Sequence, residues 1–355
     1  MLFRSLWVRR KTDMEGRIFL NRPRLNPEMS PIDEFVKRAK QREEKYAAIA
    51  DETYLMPEGL FENHHFIMNV EKSILLHKLH DVKGTLTLLP GLQDKASRWE
   101  NFKSRFSDAG IEYFELRDDF LDGDFVSKVL EEMPDQNFIF SFREVQDRSQ
   151  YWESENWFKV IRKVKWIDWA LELGPPDELL LRVPKEKVIL SVHDSARFEE
   201  LKSYMDKVGH LKFAPEVKNF TELLAFHGWQ KQDAHHRSFL PRSEEGRWTW
   251  YRNLQKGQQL LNFWRDGEGS SGDQPSLFQW LMTAPNTNKF AAVLGDPVEH
   301  SFTPIEHADF FRRREMPVFA VNIHRDEWDE AMPVLTKLGL RYAAVTSPRS
   351  EEHTS

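Results

Sequence analysis

The sequence predicts an α/β fold built around a parallel β-sheet, and two observations support that class. Short apolar runs typical of buried strands recur along the chain, for example at Val188–Val192. Stretches with helical periodicity, such as Ala196–Lys207, lie between these runs. Strands that alternate with helices at this spacing form parallel sheets with crossover helices.

The apolar runs also set the predicted element boundaries. Eight strands are predicted at Gly84–Pro90, Ile111–Arg117, Asn137–Arg143, Trp166–Leu173, Lys187–Asp194, Gly209–Ala214, Arg237–Arg242 and Gln259–Trp264. The first two are followed by predicted helices at about Asp94–Phe106 and Asp124–Glu132. Gly267–Gln274 is rich in Gly and Ser, which predicts a mobile loop. A further strand is predicted at Phe290–Leu294.

Charged residues close several of these strands. Glu115-Leu116-Arg117, Phe142-Arg143, His193-Asp194 and Lys212 each stand at the end of an apolar run. A polar side chain in an apolar strand is costly unless it is paired or functional. If the sheet closed into a barrel, these strand ends would meet and form one chemical site.

Composition narrows the function classes. The 355 residues suffice for a large core and more than one domain. The net charge of −7, with Lys and Arg spread along the chain, does not suggest a nucleic-acid partner. The chain contains no cysteine, which excludes disulfides and thiol catalysis. The sequence shows no apolar run long enough to span a bilayer, and a cytoplasmic location is predicted.

The ordered set of charged strand ends resembles the type I 3-dehydroquinate dehydratases. The resemblance extends over about 84–274 and implies a (β/α)8 TIM barrel that forms a lysine Schiff base without a cofactor. It implies that Lys212 is the nucleophile and His193 the general acid and base. The family Glu that pairs with this His falls on Asp147, which is one methylene shorter. The resemblance implies that the substrate is held by Glu115, Arg117, Arg143, Arg252, Ser271 (or Ser270) and Gln274.

The flanking segments resemble two other enzymes of the same pathway. Residues 6–80 are predicted to be helix-rich, with a helix at Asp33–Ala50, and resemble the C-terminal part of shikimate kinases. Arg22 and Arg42 fall on the lid and carboxylate-binding arginines of that family. The sequence contains no GxxxxGK[ST] motif, so kinase activity is not predicted for this chain.

Gly295-Asp296-Pro297-Val298-Glu299-His300-Ser301-Phe302-Thr303-Pro304 and Val345-Thr346-Ser347-Pro348 resemble the substrate domain of shikimate dehydrogenases. The resemblance implies that Ser301 and Thr303 bind the shikimate carboxylate and that Thr346 also contacts substrate. NADP is expected only for an intact dehydrogenase, since the nucleotide-binding domain is missing. The alternative is that Gly-Asp-Pro is an ordinary turn and that the hydroxyls cap a helix.

The predicted organisation is therefore a kinase-like segment at 6–80, a dehydratase barrel at 81–285 and a truncated dehydrogenase substrate domain at 286–348. Residues 1–5 and 349–355 look like translated sequencing adapter. This order is that of the multifunctional AROM-type proteins. The expected partners are small acids such as 3-dehydroquinate, with no nucleic acid, membrane or metal, and a homodimer is compatible with the sequence. Two alternatives stay open, namely another Schiff-base barrel enzyme of the class I aldolase kind and a degenerate barrel that serves as a scaffold.

Overall fold

A computed structural model describes residues 82–144, 160–298 and 315–346, apart from 108, 259, 261, 266–268 and 284–287. It also describes two short strands nearer the N-terminus and the single positions 29, 37, 45 and 304. The chain divides into two compact units, Met1–Lys78 and Leu79–Ser355.

The first unit contains a pair of parallel strands, β1 (Leu6–Arg10) and β2 (Glu52–Met56). The helix predicted at Asp33–Ala50 falls mostly outside the described residues, as do Arg22 and Arg42. The kinase-like interpretation of this segment therefore stays a prediction.

The second unit is built on an eight-stranded, all-parallel sheet. Its strands are β3 (Thr85–Thr87), β4 (Tyr113–Arg117), β5 (Phe138–Phe142), β6 (Trp166–Ala170), β7 (Val188–Val192), β8 (His210–Phe213), β9 (Arg237–Phe239) and β10 (Phe263–Trp264). Its helices include α1 (Ala96–Phe106), α2 (Gly123–Glu132), α3 (Asp177–Leu180), α4 (Phe198–Lys202), α5 (Phe220–Gln232), α6 (Thr249–Leu254) and α7 (Leu277–Met282). Each predicted strand contains an observed one, and the α/β class is confirmed.

The prediction of a closed (β/α)8 TIM barrel is wrong. The strand order is β10-β3-β4-β5-β6-β7-β8-β9, and no ladder joins β9 to β10 within the described residues. The Gln258 side chain occupies both backbone groups of Phe239, accepting from its N–H at 2.8 Å and donating to its carbonyl at 3.2 Å. The Ser238 hydroxyl donates to the Leu260 carbonyl at 2.6 Å. Side chains thus bind backbone N–H and carbonyl groups that hydrogen bonds between β9 and β10 would otherwise use.

The sheet is strongly curled although it is open. One cluster of buried apolar side chains takes members from the middle strands and from both edges: Tyr113, Ile139, Ile189, Ala214, Leu240, Leu260 and Phe263. Strand β7 is buried along its whole length, as expected for a parallel sheet covered on both faces. The curl brings the C-terminal ends of distant strands toward one another.

A second, three-stranded parallel sheet follows, with the order β12-β11-β13. It consists of β11 (Phe290–Gly295), β12 (Val318–Asn322) and β13 (Leu340–Val345), with helix α8 (Trp328–Leu338) between the last two. Helix α8 packs against α5 of the large sheet. The Arg247 guanidinium pairs with Glu327, and the Thr221 N–H donates to Glu330 at 2.5 Å. A domain boundary near 285 stays a prediction.

Gly209 provides a test of the packing at the start of β8. A β-carbon at this position would lie 2.5 Å from the Glu186 carbonyl oxygen, so the backbone would have to move. We expect Gly209→Ala to lower the free energy of unfolding by about 1–3 kcal/mol. In the matched control Gly228→Ala, within α5, the added carbon meets no atom within 4 Å. There we expect a gain of about 0.5–1 kcal/mol. Urea unfolding of both variants measures the difference, and equal effects would contradict this packing.

Candidate functional site

One cavity of about 330 Å³ at the C-terminal strand ends gathers most of the predicted site residues. Its walls include Glu115, Arg117, Arg143, His193, Lys212, Arg252, Ser271 and Gln274. Asp147, Ser301 and Thr303 lie outside the described residues. Thr346 lies at the end of the small sheet, where its N–H donates to the Leu294 carbonyl at 2.9 Å. The structure therefore brings together the dehydratase-type residues that it describes.

Strand β4 supplies the first wall. Glu115 and Arg117 are two residues apart, so their side chains project from the same face of the sheet. The Glu115 carboxylate is buried and accepts from the Thr87 hydroxyl at 2.6 Å and the Ser141 hydroxyl at 2.7 Å. The Arg117 guanidinium makes a two-bond contact with Asp119, at 2.9 and 2.6 Å.

A buried ion cluster joins two cations of the cavity wall, Lys212 and Arg143. The Lys212 ammonium donates to Asp168 Oδ2 at 2.8 Å, and the Arg143 guanidinium pairs with the same oxygen. Asp168 is fully buried, and Arg143 Nη2 also lies 3.9 Å from Glu115 Oε1. Arg143 further donates to the Ser191 hydroxyl at 3.2 Å. A buried carboxylate with two cationic partners holds both at fixed positions.

The environment of Lys212 acts on its charge. The pKa of Lys212 is lowered, and the largest cause is burial. The charge of Arg143 also lowers this pKa, whereas Asp168 and Glu115 oppose the shift. Burial alone would raise the pKa of Asp168, but the two cations hold it well below its usual range. Asp168 is therefore ionised, and Lys212 loses its proton more readily than a lysine in water does.

His193 has a carboxylate partner that the sequence interpretation did not identify. The imidazole Nδ1 of His193 lies 3.5 Å from Glu172 Oε2. The backbone N–H of His193 donates to Glu172 Oε1 at 2.5 Å. Burial lowers the pKa of His193 to about 4, although the hydrogen bond to Glu172 opposes this shift. Burial would raise the pKa of Glu172, but its hydrogen bonds with His193 lower it to about 2. His193 is therefore neutral near pH 7 and can accept a proton.

Arg252 and the turn at 270–274 form a further wall of the cavity. Arg252 is buried, its Nε has no hydrogen-bond partner in the described part of the chain, and its Nη1 donates to Ser271 at 3.4 Å. Burial lowers the pKa of Arg252 to about 10, so it keeps its charge. Ser270 is held by Gln274, whose Oε1 accepts from the Ser270 N–H at 3.0 Å. A guanidinium that lines a cavity and has no carboxylate at hydrogen-bond distance in the described structure suits a ligand carboxylate.

The cavity walls carry an excess of cations. The charged residues of the lining are Glu115, Arg117, Asp119, Arg143, Lys212, Arg242 and Arg252, whereas His193 is neutral near pH 7. Glu115 is engaged by two hydroxyls and Asp119 by Arg117, whereas Arg252 has no carboxylate partner at hydrogen-bond distance in the described structure. The site therefore favours a small organic anion over a neutral or cationic ligand.

Comparison with known proteins gives a partial similarity. Over 70 residues, the chain is 33% identical to the shikimate dehydrogenase (NADP(+)) of Syntrophobacter fumaroxidans, which is 20% of this chain and 24% of that protein. The chain thus spans about a quarter of the length of this curated relative. No protein-family model matches the chain. The similarity concerns a dehydrogenase and gives no support to the dehydratase or kinase interpretations.

Sequence reasoning missed Asp168, Glu172 and Arg242. Asp168 interrupts the apolar run of β6, so the rule that singled out Lys212 would also have found it. Arg242 lies just beyond β9 and donates to the carbonyls of Ala214 and His193, at 2.6 and 3.1 Å. Glu172 gave no signal in the sequence, because only the neighbouring strand brings it to His193.

The described residues contain no group of three or more His, Cys, Asp or Glu side chains that could hold a metal ion. None of their helices is both long and apolar enough to cross a membrane.

Proposed function

We propose that the cavity dehydrates 3-dehydroquinate to 3-dehydroshikimate and water through a Schiff base on Lys212. The observation that carries the proposal is that one small cavity holds a buried lysine, a neutral histidine and an arginine without a hydrogen-bonded carboxylate partner among the described residues. The partial similarity to a shikimate dehydrogenase supports a role in shikimate metabolism, because both reactions act on related ring acids.

The first step is formation of the imine. Lys212 loses a proton, and its Nζ attacks the ketone carbon of the substrate. The carbonyl oxygen leaves as water, and a protonated imine remains. Asp168, 2.8 Å from Nζ, orients the amine and stabilises the positive charge of the iminium. The iminium withdraws electrons from the neighbouring carbon and makes its hydrogen acidic.

The second step is the elimination. His193 removes the proton from C2, which gives an enamine, and then gives that proton to the C1 hydroxyl as it leaves as water. Hydrolysis of the imine releases the product and restores Lys212. Arg252 holds the substrate carboxylate, while Glu115, Arg117 and Arg143 contact the ring hydroxyls. Ser271 and Gln274 cover the bound ring. In this scheme Glu172 orients His193; whether Asp147 also does so stays a prediction.

A binding role for shikimate-type acids in the C-terminal segment is a second candidate. The 33% identity to a shikimate dehydrogenase favours it, and Thr346, Ser301 and Thr303 are the residues proposed to contact such an acid. The glycine-rich turn Gly269–Gly272 does not fit the pyrophosphate of NADP, which binds where a glycine-rich turn opens a helix. This turn folds back on Gln274 and Gly246 and does not open a helix. No dehydrogenase step is therefore proposed for this chain.

The test of the dehydratase is the absorbance of the conjugated product after addition of 3-dehydroquinate to the full chain. We expect a steady rise with 3-dehydroquinate and none with quinate, which has no ketone. Cleavage of a sugar phosphate instead would favour the class I aldolase alternative. A folded chain that acts on none of these substrates would favour the scaffold.

The contact between His193 and Glu172 leads to a second testable prediction. A general base commonly raises the reaction rate about 10²–10⁴-fold, and we expect Glu172→Gln to lower the rate roughly tenfold because the imidazole ring is oriented less firmly. The Glu172 carboxylate raises the pKa of His193, which is about 4. Its removal should therefore move the acidic limb of kcat/KM to lower pH. Activity falls as pH falls through the His193 pKa, because the protonated ring cannot act as a base.

The control for this prediction is Glu200→Gln, which changes a carboxylate that pairs with the nearby Arg197 at 2.8 Å. The rate and the acidic limb should both stay as in the parent. An unchanged limb in Glu172→Gln would show that another carboxylate orients His193.

A further inference from the structure

A second cavity lies on the outer side of the large sheet, away from the C-terminal strand ends. It has a volume of about 680 Å³ and is bordered by α4, α5, α8 and the first residue of β9, Arg237. Small-molecule sites commonly have volumes of about 300–1,000 Å³. None of the residues of the first cavity lines this one.

Two residues that line the cavity carry buried donors without acceptors. Arg237 is 6% exposed and Trp229 is 7% exposed. Neither Arg237 Nε nor Trp229 Nε1 has a hydrogen-bond partner within the described structure. A buried donor left unpaired destabilises a protein, so two such donors beside one cavity point to a missing acceptor.

One edge of the Arg237 guanidinium lacks a strong acceptor, although it is covered in this structure. Its Nη1 is occupied by the Trp229 carbonyl at 2.8 Å and by Gln232 at 3.2 Å. Its Nη2 meets only the Met205 sulfur, at 3.0 Å, and a thioether is a weak acceptor. Nε and Nη2 together form the fork that binds a carboxylate with two parallel hydrogen bonds.

The rest of the lining adds positive charge and an apolar surface. Lys202 and Lys337 line the cavity, and none of its described lining residues is acidic. Lys202 is partly neutralised by Glu199 at 2.6 Å, and the structure gives Lys337 no ion pair within the described chain. Phe198 packs edge-on against Trp229 with ring centroids 5.3 Å apart, next to Leu224. An anion that carries an apolar ring matches both features.

We propose that this cavity binds a monocarboxylate with an apolar ring. The Met205 side chain moves aside, the carboxylate accepts from Nε and Nη2 of Arg237 in its place, and the ring lies against Phe198 and Leu224. Lys337, on α8, adds charge from the segment that follows the large sheet.

The test is calorimetric titration of the full chain with 3-phenylpropanoate, with 3-phenylpropan-1-ol as the uncharged control. We expect saturable binding of the acid, and binding of the alcohol weaker by at least about tenfold. Arg237→Lys keeps the charge but removes the fork, and should weaken binding about tenfold. Lys337→Gln should weaken it about threefold. The matched control Lys231→Gln changes a lysine of α5 that does not line the cavity and should bind as the parent does.

Several outcomes would overturn the proposal. Equal binding of the acid and the alcohol would show that the carboxylate is not recognised. Parent-like binding by both Arg237→Lys and Lys337→Gln would show that the ligand does not bind in this cavity. Loss of binding in Lys212→Ala would place the ligand in the first cavity. No saturable binding by a chain that melts cooperatively would also refute it. None of these outcomes depends on dehydratase activity.

Discussion

Replacement of Lys212 by alanine is expected to abolish dehydration of 3-dehydroquinate. The imine cannot form without the amine, and loss of a nucleophile commonly costs roughly 10³-fold or more. The parent chain treated with 3-dehydroquinate and borohydride should gain the mass of the reduced adduct, and Lys212→Ala should gain none. Peptide mapping should place the adduct on Lys212.

Lys256 is the matched control for this experiment. It is a second lysine whose pKa burial lowers, to about 8, but it does not line the cavity and donates to the Trp280 carbonyl. If a low pKa alone were sufficient, Lys256 would also form the adduct. An adduct on Lys256, or dehydration that survives in Lys212→Ala, would refute the proposed mechanism.

Asp168→Asn is expected to have the largest effect on stability. The change leaves the Lys212 ammonium and the Arg143 guanidinium buried beside a neutral amide. Removing one partner of a buried ion pair commonly costs about 3–5 kcal/mol. We expect urea unfolding at pH 7 to show a loss of about 3 kcal/mol. The Asp168 carboxylate raises the pKa of Lys212, so its removal should also lower the pH at which the borohydride adduct forms.

The control is Asp119→Asn, which changes a carboxylate paired with Arg117 at a partly exposed position. Its effect on unfolding should stay within about 1 kcal/mol, because water screens that pair. Similar losses in both variants would show that Asp168 is not the centre of the buried cluster. An unchanged pH dependence of trapping would show that Asp168 does not act on Lys212.

The strand prediction succeeded where the runs were mostly apolar. Strands β5 and β7 lie within the predicted ranges, because a parallel strand covered on both faces is apolar along most of its length. The prediction was least accurate at β10, of which only Phe263–Trp264 forms a strand. The predicted segment is mostly apolar, but the Gln258 side-chain amide binds the backbone N–H and carbonyl of Phe239 in β9. The sequence pattern contains no information about that competition.

The amino-acid sequence by itself determined the α/β class, the strand positions and the charged residues at the strand ends. Those features follow from local periodicity and from the cost of a polar group in an apolar strand. Only the tertiary structure decided that the sheet stays open between β9 and β10, that Glu172 reaches His193 and that Asp168 holds Lys212 and Arg143. Each of these depends on contacts between residues far apart in the chain. Curling of the sheet creates such contacts, and local sequence preference does not encode them.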